Sequence, residues 1–258
     1  MADQEDLIDV ERFKHIDPSK ERKKDWTYIV AVIDRSGSMK ALQETAVAGF
    51  NKFLEDQKKA PEWAEFTLAL FNTTNAIVYD DVPIHEVKPL DMETYVPDGW
   101  TALYDALGTS IMETKKHIEK LSQKERPAKV LFMILTDGEE NSSKKYKQGQ
   151  INTMIKAAQK DSGWAFLYLA ANPAAFKAGE AMGIAKSTSF QFSATPNGTK
   201  HAFGALSRAS YAVRSSRGLS SQAVVKNMSA DIQNMLAGDA VQSDDVVRDS
   251  TSWPKLKK

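Results

Sequence analysis

TYIVAVIDRSGSMKALQ, residues 27 to 43, opens as a nearly unbroken apolar, β-branched run and closes on one acid and two serines at every second position, Asp34, Ser36 and Ser38. A continuous run, rather than an alternating one, marks a strand covered on both faces, as in a parallel sheet. The pattern returns at residues 130–135 (VLFMIL) and 164–169 (WAFLYL). Residues 66–71 (FTLALF) and 76–79 (AIVY) are separated by the turn-prone NTTN and read as a hairpin, which would add one antiparallel edge strand.

Between these runs lie segments of helical periodicity. Residues 40–57 place Leu42, Val47, Phe50, Phe53 and Leu54 on one face, and 102–121 do the same with Leu103, Leu107, Ile111, Met112 and Ile118. Further helices are expected at 149–160, 172–182 and 198–215, with a short sixth strand at 188–192. Strand and helix in alternation predict an α/β fold, a doubly wound, mostly parallel sheet of about six strands with helices on both faces. The chain divides into a charged N-terminal segment (1–25), this domain (26–218), and a C-terminal part (219–258) with one more amphipathic helix over 220–236 and a polar, mobile end.

Composition narrows the function. Among 258 residues, 34 Lys plus Arg balance 34 Asp plus Glu, so there is no global attraction to nucleic acid or to an anionic membrane. Cysteine is absent, which removes disulfides, thiolate metal sites and a Cys nucleophile, and fits a reducing cytoplasm. No run approaches the length of a membrane span, and the charged first 25 residues have no apolar core of the secretion-signal kind. The four sequons, at Asn72, Asn141, Asn197 and Asn227, are accordingly read as chance.

In a doubly wound sheet, ligands sit beyond the carboxyl ends of the strands. Asp34 ends the first run there, and Asp137, in LTDGEENSS, ends another. Thr101, in PDGWTALYDAL, stands just ahead of the helix over 102–121, where it either caps that helix or brings its hydroxyl to the same rim. Two carboxylates and three hydroxyls with no His or Cys make a hard-oxygen site suited to Mg²⁺, Mn²⁺ or Ca²⁺ rather than zinc.

These residues resemble the von Willebrand factor A domain, the integrin I-type fold, and its metal-ion-dependent adhesion site. The family motif is DxSxS, then a distant Thr, then a distant Asp; here it stands as Asp34, Ser36, Ser38, Thr101 and Asp137, over residues 26 to 215. The resemblance implies that Ser36, Ser38 and often Thr101 touch the ion, that the acids act directly or through water, and that a partner's Asp or Glu completes the shell. Two positions depart from the family or lie inside its motif. Trp100 replaces the usual Gly before Thr101, as an aromatic contact on the ligand rim or a ring packed under the loop, and Arg35 is expected to point outward.

Other chemistries fit less well. GEAMGIAKS, residues 179–187, has the wrong spacing for a phosphate-binding loop, no GxSxG elbow exists, and the position two after Asp34 is Ser36 rather than the second acid of an Asp-nucleophile phosphatase. His15, His85, His117 and His201 are far apart and read as surface or capping residues, and the basic stretches at 20–24 and 142–147 as solvated faces. The expectation is a non-enzymatic, cation-dependent protein-binding module, an intracellular adaptor or assembly factor. The alternative is a metal-assisted hydrolase acting on a phosphate. A further expectation is self-association through the acidic tail, where Asp244, Asp245 or Asp249 would reach the metal of its own or a neighbouring chain.

Overall fold

β1 (Thr27–Asp34) is buried along its whole length, as its continuous apolar run requires of a strand with helices on both faces. In the computed structural model, which describes residues 25–238, it lies at the centre of a six-stranded sheet. β2 (Ala64–Phe71) pairs with it in parallel on one side and β4 (Lys129–Thr136) on the other. β5 (Ala165–Ala170) and the three-residue β6 (Ser189–Gln191) continue the parallel set, and β3 (Asn75–Pro83) is the antiparallel edge beyond β2. The strand order is β3-β2-β1-β4-β5-β6. The N-terminal 24 residues and the tail acids Asp244, Asp245 and Asp249 lie outside the described residues.

Helices flank both faces: α1 (Gln43–Lys59), α2 (Leu103–Lys120), α3 (Gln148–Ser162), α4 (Pro173–Ala181), α5 (Pro196–Ser215), α6 (Ser221–Asn227) and α7 (Ser229–Ala237). Strand alternation sends Ile29, Ala31 and Ile33 of β1 toward α1, α5, α6 and α7, and Tyr28, Val30 and Val32 toward α2 and α3. Two apolar clusters result, one on each face. On the first, α1 and α5 approach so closely that a methyl group at Gly49 would stand 2.4 Å from the Phe203 ring.

Two elements differ from the sequence expectation. The helix expected over 220–236 is two helices meeting at Met228, and both are packed: Val224, Val225 and Ile232 are fully buried in the same cluster as β1 and α5. β3 runs to Pro83 instead of ending at Tyr79. Its register slips twice against β2, between Phe66 and Leu68 and between Leu68 and Ala69, so β-bulges let a segment containing Asp80 and Asp81 stay in the sheet. Asp81 takes a left-handed backbone (φ 54°), which Asp tolerates better than most side chains.

Candidate metal centre

Asp34, Ser36, Ser38, Thr101 and Asp137 come from the end of β1 and the loop after it, the segment between β3 and α2, and the loop after β4. After β1, the backbone N–H of Ser36 donates to Asp34 Oδ1 at 2.7 Å, a tight local turn that aims the next hydroxyls outward. Ser36 Oγ and Ser38 Oγ stand 3.1 Å apart, and Ser38 Oγ donates to Asp137 Oδ1 at 2.7 Å. A β-carbon built on Gly138 would lie 2.9 Å from Thr101 Oγ1, 3.6 Å from Ser38 Oγ and 3.7 Å from Ser36 Oγ. All three hydroxyls therefore surround one small space that the missing side chain of Gly138 keeps open, and the structure brings the five sequence-predicted oxygen residues together.

Thr101 is buried, and it does not cap α2; the cap position is Ala102, without a side-chain cap bond. The helix's first N–H groups are satisfied instead from the loop after β4: Tyr104 N–H donates to Glu140 Oε2 and Asp105 N–H to Ser143 Oγ. Asp105 returns the connection by accepting from the N–H groups of Lys144, Lys145 and Tyr146. Thr101 is itself held through its backbone, its N–H donating to Asn141 Oδ1 and its carbonyl accepting from Asn141 and Ser142. Its hydroxyl is thus free of the capping duty.

The two acids sit in different surroundings. Asp34 is fully buried; Thr136 Oγ1 donates to its Oδ2 at 2.5 Å, and the buried Tyr95 hydroxyl donates to its carbonyl at 2.5 Å. Burial pushes its carboxyl up from 3.8 to about 6; the hydrogen bonds from Thr136 and Ser36 oppose that rise, and the charge of Asp137 adds to it. Asp137 is half-buried, and burial likewise raises it, against the bond from Ser38. Asn172, the N-cap of α4, fixes the Asp137 backbone by donating from Nδ2 to its carbonyl at 2.7 Å. Two carboxyls raised by desolvation beside three converging hydroxyls fit a hard divalent cation, which restores the charge balance that burial penalises.

The rim residues part ways. Trp100 is 67% exposed, with its backbone N–H tied to Thr73 Oγ1, so the ring stands out at the rim and does not pack beneath the loop. Arg35 is only 4% exposed, which corrects the expectation that it points outward: its N–H donates to the Phe71 carbonyl and its own carbonyl accepts from Asp98, turning the side chain into the protein. Thr136, Tyr95, Asn141, Asn172 and Glu140 were not singled out from sequence as site residues. Thr136 ends β4 and Asn172 follows β5 at the same carboxyl edge, so the edge rule itself would have found them; Tyr95 lies mid-loop with no such signal.

Solved structures share this fold. The chain is similar to a von Willebrand factor type A protein from Catenulispora acidiphila, at 13% identity and a TM-score of 0.50 over 73% of this chain and 43% of that one. It is also similar to proximal thread matrix protein 1 from the mussel byssus in two structures, at 12% and 14% identity and a TM-score of 0.52 in both, over 73% and 71% of this chain. The chain spans less than half the length of these proteins, 43% to 46%. No family profile matches the sequence, and no curated protein aligns with it. The mostly parallel six-stranded sheet with one antiparallel edge and helices on both faces is the von Willebrand factor A type of α/β fold.

Proposed function

We propose that this domain is a cation-dependent protein-binding module, in which Ser36, Ser38, Thr101, Asp34 and Asp137 hold Mg²⁺ or Mn²⁺ at the sheet rim. The observation that carries the reading is the convergence of three hydroxyls on the space left open by Gly138. The bound ion would supply a Lewis-acid position for a partner's Asp or Glu carboxylate. Both oxygens of Asp34 are taken up by protein donors, Ser36 N–H and Thr136 Oγ1, which suits it to act through water and keeps the ion electrophilic. The same engagement leaves neither oxygen poised to take a proton from a substrate, which favours binding over hydrolysis. Around the rim, the exposed Trp100, together with Met92 and Val96 in the loop that precedes it, offers apolar contacts to residues flanking the partner's acid.

No helix among the described residues is long and apolar enough to cross a membrane. The balanced charge of the chain also offers no general attraction to nucleic acid. An adaptor that binds a protein partner is the role we assign to the domain. Calorimetric titration of EDTA-stripped protein with Mg²⁺ and Mn²⁺ tests it, beside the Ser36→Ala, Ser38→Ala double variant. Saturable binding by the wild type that the variant loses is the expected result. Absence of binding by the wild type, or undiminished binding by the variant, overturns it.

A further inference from the structure

A second group of ligand-type side chains lies at the other end of the sheet. Glu65, Asp81 and His117 each place one donor atom within 4.8 Å of the others'. His117 Nε2 is 3.2 Å from Asp81 Oδ2. Glu65 is the second residue of β2, paired with Tyr28 at the start of β1, whereas Asp34 pairs with Phe71 at the end of β2. At about 3.3 Å per strand residue the two groups are roughly 20 Å apart. We propose that Glu65, Asp81 and His117 form a second cation site, one that takes a transition ion of the Zn²⁺ class.

The fold directs all three side chains to one place. Glu65 shares its strand face with Ala69 and Phe71, the face covered by α2, and His117 comes from the last turns of α2. The bulged register of β3 carries Asp81 to the same side. There its N–H donates to Thr67 Oγ1 at 3.0 Å, and the Tyr28 hydroxyl stands 2.8 Å from that same oxygen. The Tyr28 ring packs against the imidazole with centroids 5.5 Å apart and limits its rotation.

Two buried carboxylates beside an imidazole are a donor set that a divalent cation can share. Glu65 is 0% and Asp81 5% exposed, so two carboxylates are taken out of water side by side. The site is electronegative enough that the Tyr28 phenol, raised first by burial, is raised further by Asp81, with Asp80 and Glu65 adding. A divalent ion neutralises both carboxylates while leaving the imidazole neutral and ligating.

The donor set selects the ion. One imidazole nitrogen with two carboxylate oxygens suits zinc and its neighbours, whereas the rim, with oxygen alone, suits magnesium. Zinc ligands lie about 2.0–2.2 Å from the metal at near-tetrahedral angles, so two of them stand about 3.3–3.6 Å apart. A spread of no more than 4.8 Å closes on such an ion with side-chain rotations that move donor atoms by about an ångström. The bound ion would clip the edge strand β3 to β2 and to α2.

The test uses full-length, EDTA-stripped protein carrying Ser36→Ala and Ser38→Ala, so that the rim does not contribute. One equivalent of Zn²⁺ retained through gel filtration is expected. Titration with Co²⁺ in its place should give the intense visible bands of a low-coordinate nitrogen-containing site. His117→Gln and Glu65→Gln should each weaken binding about tenfold or more. No retained equivalent, or affinity unchanged in both variants, overturns the proposal. If His117→Gln does not fold, Glu65→Gln and the unmutated spectrum decide: the weak bands of an all-oxygen octahedral ion overturn it too. Failure here leaves the rim reading standing, because that reading is measured in the wild type with Mg²⁺.

Discussion

Ser38 Oγ donates to Asp137 Oδ1 at 2.7 Å, joining residues 99 positions apart. The bond is made because β1 and β4 are adjacent parallel strands whose carboxyl ends lie side by side. A hydroxyl both donates and accepts, so Ser38 can keep its proton on Asp137 while its lone pairs face the open space above Gly138. The arrangement is thus preformed for an electropositive guest, and it makes that space the first target for mutation.

Gly138→Ala should close the site without unfolding the domain. The added carbon would stand 2.9 Å from Thr101 Oγ1, forcing that hydroxyl or the loop away. Mg²⁺ affinity by calorimetry should fall about tenfold or more, equivalent to at least about 1.4 kcal/mol, while far-ultraviolet circular dichroism stays as in the wild type. Unchanged affinity would remove the cradle from the account of the site.

Asp34 gives the metal-free protein a defined pH response. Its folded carboxyl titrates near 6 against an ordinary value of 3.8, so between those values the folded state holds a proton that the unfolded chain has released. Stability therefore falls as pH rises through that window and is level above it, by on the order of 3 kcal/mol from this group. Denaturant titrations at pH 4.5 and 7 should show the drop in metal-free wild type and a smaller one in Asp34→Asn. In the presence of Mg²⁺ the sign reverses for binding: affinity should decline about tenfold per pH unit below about 6, because the ion competes with the proton.

Tyr95→Phe removes the hydroxyl that donates to the Asp34 carbonyl and leaves that buried oxygen one donor short. A loss of about 1–3 kcal/mol in unfolding free energy is expected by urea denaturation. A weaker metal site should accompany it, since the carbonyl fixes the turn that carries Ser36 and Ser38.

Ile232→Ala examines whether α7 is structural. Ile232 is fully buried in the cluster shared by β1, α1 and α5. Truncating it should cost about 2–5 kcal/mol by the same measurement. A change under about 0.5 kcal/mol would mean that α7 contributes little to the cohesion of the domain.

The sheet was legible because its strands are unmixed apolar runs. Tyr28–Ile33, Val130–Leu135 and Trp164–Leu169 can hardly be anything but strands buried on both faces, and Asp34 and Asp137 mark their ends. The five oxygen residues followed from that edge and from their resemblance to a known motif. What was not legible depends on neighbours distant in the chain. Arg35 reads as a surface charge until Phe71 and Asp98 are seen to grip its backbone. His117 reads as an isolated histidine because Glu65 and Asp81 lie 52 and 36 positions before it and meet it only through the bulges of β3. The break at Met228 had no Pro or Gly to announce it.

The borders of the sheet restrict how this molecule can associate. One border is β3, twice bulged and carrying Asp80 and Asp81; the other is β6, three residues long. Neither offers the long, flat row of unpaired amides on which a foreign strand can align, and a buried acid opposes any that tries. Among the described residues, growth by strand addition into dimers or fibrils is disfavoured at both borders, which leaves the ends of the strands, where the proposed ion sits, as the place for single side chains to discriminate between partners.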